Sequence, residues 1–293
     1  MTNAMTVSAE RWRAYRARTY RLKRPVPTPE AAVRFVDERG FVYFWPIKGT
    51  DLPSLWVAVA GDRPVADAHD DPGHVTWGWK DRLLGARRWF YAKWLRGKAT
   101  LVSLAELPNV YALSENFGDY QEDYLALYAE GRLTAEARSV YEALLEKGPL
   151  DTIALRKAAR LASRESGARF ERALTELQVN LNILPVGVAQ AGAWRYAFIY
   201  DIVARHFPQL PAQAGAIKRA QARLRLADLY LRSVGAATAG QLRALFRWPA
   251  EDVRRTGAQL QAQGLAWPAA KVAGIRADWL ATPALLGRRA RSG

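Results

Sequence analysis

Cysteine is absent from the 293-residue chain, and histidine and methionine are scarce, at three and two. The first absence excludes disulfides, thiolate-held zinc and iron–sulfur clusters, and is compatible with a reducing compartment. No apolar run is long enough to span a bilayer, and the N-terminus, with Arg11, Arg13, Arg16 and Arg18, is too charged for a secretory leader, so a cytoplasmic, nucleoid-associated protein is expected. Acidic residues are also in deficit, at 28 Asp and Glu against 43 Lys and Arg, for a net charge of +15. That deficit is confined to the ends. Residues 1–24 hold seven basic side chains against Glu10, and residues 213–293 hold fourteen against four acids, whereas residues 25–212 are nearly balanced at 22 and 23. Cationic ends predict a polyanion as partner. An anionic membrane surface is the rival, but neither end carries a strongly apolar helical face. General solubility is the plain alternative.

The most ordered pattern lies at residues 148–208. After Gly148-Pro149, Asp151 stands as an N-cap before a short helix with Ile153, Leu155 and Leu161 on its apolar face. A polar turn (Ser163 to Ser166) leads to a second helix whose inner face is Phe170, Ala173, Leu174, Leu177 and Leu181. Ile183–Val188 then reads as a strand, Ala189–Ala193 as a turn and Trp194–Tyr200 as a returning strand. With the amphipathic helix before it (Ala137, Val140, Tyr141, Leu144, Leu145), the order is helix, helix, helix, strand, wing, strand: a winged helix-turn-helix. Opposite Phe170 the last helix carries Arg169, Arg172 and Thr175, together with Glu165 and Glu176, so its outer face either reads a DNA groove or is a solvated, salt-bridged surface. Arg195, on the returning strand, is either a backbone contact or a wing-closing charge.

From the start of the chain, Ala9–Arg24 is a helix in which arginines interleave with Trp12, Tyr15 and Tyr20. Arg11, Arg16 and Arg18 are assigned to phosphates, and Trp12, Tyr15 and Thr19 form a stripe that would dock the helix on the body. Pro25, Pro27 and Pro29 make a stiff linker. Glu30–Glu38 is a short helix, Phe41–Trp45 a strand with aromatics on both faces, and Pro53–Gly61 another short helix. His69, Asp70, Asp71 and His74 are metal-ligand types, but their spacing matches no metal motif and Asp-Pro-Gly is an ordinary turn; no metal and no cofactor are expected. Trp77 and Trp79 would point the same way in an extended chain, either stacking on a base or packing in the core. Leu83–Leu95 reads as a basic helix, Thr100–Val102 as a strand and Ala105–Leu113 as a helix. Near the C-terminus, Ala214–Ser233, Thr238–Arg247 and Ala250–Gln263 are three helices, and Leu265–Trp279 is a wing. Arg254, Arg255 and Gln259 point outward on the third helix, and Arg288, Arg289 and Arg291 form a basic tail.

Three stretches resemble the AlkZ family of bacterial DNA glycosylases: Leu95–Leu113 (LRGKATLVSLAELPNVYAL), Gly148–Pro208 ending in RYAFIYDIVARHFP, and Ala220–Phe246 containing LYLRSVGAATAGQLRALF. The resemblance spans roughly residues 10–280. It implies tandem winged helices and a role in excising alkylated bases or unhooking interstrand crosslinks. In that family the strand placed here at Phe41–Trp45 carries a Gln-x-Gln or Gln-x-Asp pair that activates water. Tyr43 and Trp45 occupy those positions, and neither side chain is a useful base at neutral pH. The family's C-terminal β-barrel has no counterpart, which points to a shortened, AlkZ-related branch.

The expected fold is therefore mainly α with short β-wings, an α+β class of tandem winged helix-turn-helix domains. Its divisions are a basic helix and linker (1–29), a Trp-rich first domain (30–130), central (131–212) and C-terminal (213–282) winged helices, and a basic tail (283–293). The expected function is duplex DNA binding by a monomer, away from membranes, with recognition of damaged or distorted DNA. Arg11, Arg16, Arg18, Arg169, Arg172, Arg195, Arg254, Arg255 and Gln259 would make the DNA contacts, and Tyr43, Trp45, Lys48, Trp77 and Trp79 would line the pocket. One alternative is an active, monofunctional glycosylase that flips a base and takes its carboxylate from Glu38, Asp51, Asp70 or Asp71. A winged-helix transcription regulator is another.

Overall fold

The computed structural model describes residues 5–68, 70–192 and 195–287, so Arg288, Arg289 and Arg291, like His69 and Trp194, lie outside the described residues. The fold is mixed α and β: many short helices with several small sheets. Among the described residues, no helix is long and apolar enough to cross a membrane. Two compact units form, and they are not consecutive segments: Met1–Thr76 folds with Arg219–Gly293, and Trp77–Lys218 forms the other.

In the first unit both ends of the chain share one sheet. Met5–Val7 pairs in parallel with Trp267–Val272, which runs antiparallel to Ile275–Ala281, which in turn pairs with Ala236–Thr238. The hairpin turns on Ala273 and Gly274, both at positive φ (50° and 87°), the pair of left-handed residues that matches strand twist in a two-residue loop. The helix Ala9–Thr19 is capped by Ser8, whose hydroxyl accepts the Arg11 N–H. Its stripe at spacing 0, 3 and 7 docks as expected. The Trp12 indole N–H donates to the Val234 carbonyl (2.9 Å), Tyr15 O–H to the Arg232 carbonyl (2.8 Å) and Thr19 O–H to the Ser233 carbonyl (2.8 Å). Those acceptors are carbonyls in the last turn of Arg219–Val234, so the docked helix supplies partners to groups that have none within their own helix. The three C-terminal helices expected from the sequence are Arg219–Val234, Ala239–Phe246 and Ala250–Ala262. The second starts at a capping box between Thr238 and Gln241.

The second unit contains the helices Ala135–Lys147, Thr152–Ala158 and Gly167–Val179, followed by Ile183–Ala189 and Ala197–Ile202. These two strands pair antiparallel, and Leu150–Asp151 adds to the far edge of Ala197–Ile202. Asp151 caps its helix as expected, accepting the N–H of Ile153 (2.9 Å) and Ala154 (3.1 Å). Phe170, Ala173, Leu174 and Leu177 face a core with Val140, Leu144, Leu155 and Ile202. Leu181, expected on the same helical face, is buried beyond the helix end in a left-handed turn.

Two expectations are corrected. Leu83–Leu95 is not a helix. The helix Val75–Gly85 ends three residues into this stretch, Arg87 reverses the chain at positive φ, and Phe90–Ala92 is a buried strand antiparallel to Thr100–Val102. The aromatic run Trp89, Phe90 and Tyr91 favours a strand, and its tertiary packing overrides the helical spacing. Trp77 and Trp79 lie on the helix Val75–Gly85, not on an extended segment, so two residues turn them about 200° apart. Trp77 is 37% exposed and Trp79 is buried.

Gly235 joins helix to strand at φ +85°, and a Cβ there would meet the Tyr15 ring at 2.9 Å. Gly274 is also left-handed but faces open space. Gly274→Ala is expected to lose about 1–2 kcal/mol from backbone strain alone, and Gly235→Ala about 1–3 kcal/mol more from the displaced ring, as read by urea unfolding. Equal losses would show that the Tyr15 contact yields freely.

Candidate nucleic-acid interface

The two helices expected to face a groove each present two exposed arginines interleaved with acids. On Gly167–Val179 the buried face leaves Arg169 and Arg172 exposed. Arg169 pairs with Glu136 at 3.2 Å, and no ion pair engages Arg172 among the described residues. Arg195 is exposed and left-handed, its N–H bonded to the Gly192 carbonyl. On Ala250–Ala262, burial of Val253, Thr256, Gly257 and Leu260 leaves Arg254, Arg255 and Gln259 outside. Both arginines are engaged at their own N-terminal turn: Arg254 with Glu251 at 2.7 Å, and Arg255 with Glu251 at 3.3 Å and Asp252 at 3.7 Å. The Arg254 hydrogen bond holds the Glu251 carboxyl below the usual carboxylate range. Glu251, Arg254 and Arg255 are solvent-exposed, and surface pairs of this kind are weak in water, so they can be exchanged for a phosphate.

On the N-terminal helix Arg11 and Arg18 are exposed, Arg18 lying over the Tyr15 ring. Arg16 departs from its expected role. Its side chain is only 21% exposed, bonds the Asp51 carboxylate (2.6 Å) and the Tyr20 hydroxyl (2.8 Å), and sits over the Trp12 ring. The guanidinium is spent inside the first unit.

The expected pocket residues fall in both units, Tyr43, Trp45 and Lys48 in the first and Trp77 and Trp79 in the second. Tyr43 is fully buried in the strand Phe41–Tyr43, and Trp45 is half-buried between Phe44 and Trp56. Lys48 is exposed. The carboxylates offered as substitute bases are mostly committed. Asp51 accepts from Arg16 on one oxygen and from Gln241 (3.0 Å) on the other, and its carbonyl accepts the Tyr20 hydroxyl. Asp71 caps a short turn by accepting the Gly73 N–H (2.7 Å) and pairs with Arg63 (2.6 Å), whose hydrogen bond holds its carboxyl below the ordinary range. Glu38 pairs with Arg21, and Asp70 is exposed. His74 bonds the Ala66 carbonyl and packs on Trp56. Among the described residues, no three His, Cys, Asp or Glu side chains gather to hold a metal.

Sequence reasoning missed several polar groups that organise the units. Gln241 is one. Gln178, buried in the helix Gly167–Val179, accepts the Lys93 N–H (3.1 Å) and donates to the Leu174 carbonyl (2.9 Å). Lys80 is wholly buried, bonded to Asp81 and to the Tyr196 hydroxyl (2.9 Å), and burial pushes its ammonium below the usual lysine range. The available signal for Lys80 was its position one helical turn from Trp77 and beside Trp79, on an aromatic-rich helix.

A family model described as AlkZ related matches residues 26–247. Among solved structures, the Streptomyces sahachiroi DNA glycosylase AlkZ is similar, with a TM-score of 0.60 at 16% sequence identity, over 99% of this chain and 74% of that one. At that identity the likeness shows a shared fold. No curated protein matches the chain.

Asp51→Ala is expected to lower unfolding free energy by about 1–3 kcal/mol, because it leaves the Arg16 guanidinium and the Gln241 amide without their shared acceptor. Asp70→Ala, on the surface, should stay within about 0.5 kcal/mol of the parent. Equal urea midpoints for the two variants would remove Asp51 from the structural role assigned to it.

Proposed function

The chain belongs to the AlkZ-related family, and from that premise we propose that it binds duplex DNA through winged helices at residues 131–212 and 213–282 and recognises damaged or distorted DNA. The observation that carries this reading is the helix Ala250–Ala262: the third of three helices, followed by a hairpin, with Arg254, Arg255 and Gln259 on its open face. Such a helix fits a major groove, and the hairpin beside it is in position to touch the backbone. Arg172, Arg169 and Arg195 make the equivalent set in the central module, and Arg11 and Arg18 add phosphate contacts. Charge supports the same partner. The unit formed from the two chain ends holds 24 basic and 13 acidic side chains, and the other holds 19 and 15.

Base excision by a replacement carboxylate draws little support. Asp51 and Asp71 are held by arginines, and Tyr43, at a position where the resemblance expects a water-positioning glutamine, is sealed in the core. Recognition is therefore preferred to excision as the activity.

The test is the salt dependence of binding to a short duplex. The slope of log affinity against log salt should fall by about 0.9 for every phosphate the protein stops neutralising, so Arg254→Ala with Arg255→Ala should weaken binding and flatten the slope by about 2. Glu251→Gln, which removes the negative charge that both arginines share, should strengthen binding. An unchanged slope in the double variant would take this helix out of the interface.

A further inference from the structure

One exposed aromatic group remains without a role in the duplex-binding reading. Tyr196, just before the strand Ala197–Ile202, and Phe198 and the buried Tyr200 within it follow at alternate positions, with successive ring centroids 5.5 and 6.2 Å apart. Trp77 stands edge-on to Tyr196 at 6.1 Å. Beneath them the buried Lys80 ammonium lies 4.3 Å from the Phe198 centroid, 4.8 Å from Trp77 and 5.6 Å from Tyr196. The Tyr196 hydroxyl is fixed from both sides, accepting from Lys80 Nζ (2.9 Å) and donating to the Asp81 carboxylate (3.0 Å). Even so, Tyr196 and Trp77 are 38% and 37% exposed. A ligand that stacks on them gains, because ordering them costs no further entropy.

A cavity of about 320 Å³ opens beside these rings, with Tyr196, Phe198 and Tyr200 on one side and Ile153, Lys93 and Glu171 around the rest. That volume lies at the small end of the range for organic-ligand pockets. Lys93 and Glu171 stand 4.0 Å apart with 38% and 61% of their side chains exposed, and so offer a donor and an acceptor at the edge of any planar ring that enters. Glu171 is on the helix Gly167–Val179, the same helix that presents Arg169 and Arg172.

We propose that this cavity and its aromatic rim take a nucleobase that has left its stack, an unpaired or extruded base of the bound duplex. The inference rests on the duplex-binding reading and adds the place where a distortion is read. Aromatic stacking suits the task because every base has a π-face, while Lys93 and Glu171 address its edge. The lysine-held Tyr196 supplies the rigid wall.

The experiment compares affinity for a fully paired duplex with affinity for the same duplex carrying one bulged nucleotide, at fixed salt. The parent protein should favour the bulged duplex by at least about fivefold, the lower range of one base–aromatic stack. Tyr196→Ala should abolish that preference and leave affinity for the paired duplex within about twofold. Trp77→Ala should reduce the preference as well. Tyr196→Phe, which keeps the ring, should retain more of it than Tyr196→Ala. Equal affinity of the parent for the two duplexes, or a full preference in both alanine variants, would overturn the proposal while leaving duplex binding intact. Failure to bind either duplex would overturn the duplex-binding reading and this inference together.

Discussion

One carboxylate holds together the unit made from the two ends of the chain. Asp51 lies in the corner after the first aromatic strand and accepts Arg16 from the N-terminal helix on one oxygen and Gln241 from a C-terminal helix on the other. The Gln241 side chain also caps its own helix by accepting the Thr238 N–H, so one amide links a helix start to a contact 190 residues away. Tyr20 closes the arrangement through the Asp51 carbonyl, and burial pushes its phenol well above the ordinary range, which keeps it a neutral donor at any physiological pH. Charge-assisted bonds of this kind exceed surface ion pairs in strength because both partners are partly withdrawn from water. The parallel pairing of Met5–Val7 with Trp267–Val272 repeats the junction in backbone hydrogen bonds. The two basic ends of the sequence thereby become one strongly cationic unit.

How far this was legible differs by level. Helices with a clean 3.6-residue apolar stripe stood out: the run Phe170, Ala173, Leu174 and Leu177 is buried as its spacing requires, and Asp151 and Thr238 cap where their types predict. Segments where aromatics fall on every side did not. In Leu83–Leu95 the apolar residues suit either period, and only the partner strand Thr100–Val102 decides for a strand at Phe90–Ala92. Trp77 and Trp79 show the converse: read as extended they share a face, but on a helix one is buried and the other exposed. The parallel strand at Met5–Val7 could not be read at all, because its partner lies more than 260 residues away.

Candidate site residues were harder to read because charge alone does not say whether an arginine faces water or an acid. Arg16 and Arg18 are two residues apart on one helix. The first is locked onto Asp51 and Tyr20, and the second is open. The distinction depends on Asp51, whose proximity nothing local in the sequence announces. The same holds for the carboxylates, since Asp51 and Asp71 are acids by composition and acceptors by structure. By contrast, the Tyr-x-Phe-x-Tyr alternation at residues 196–200 was visible as a strand pattern. Its second meaning, a row of neighbouring rings, emerges only once Lys80 is seen to fix the first of them.

The acids beside Arg254 and Arg255 shape what the outer helix can select. In the free protein Glu251 and Asp252 neutralise part of the arginine charge at short range, so a single weakly charged group gains little by displacing them. A duplex backbone presents one negative charge per roughly 1.7 Å of axis and releases condensed counterions when neutralised, a gain that grows with every phosphate engaged. The exposed intramolecular pairs, screened by water, are weak by comparison. If this helix binds a duplex as proposed, its acids would raise the threshold for isolated anions more than for a dense polyanion and would orient the guanidinium groups beforehand.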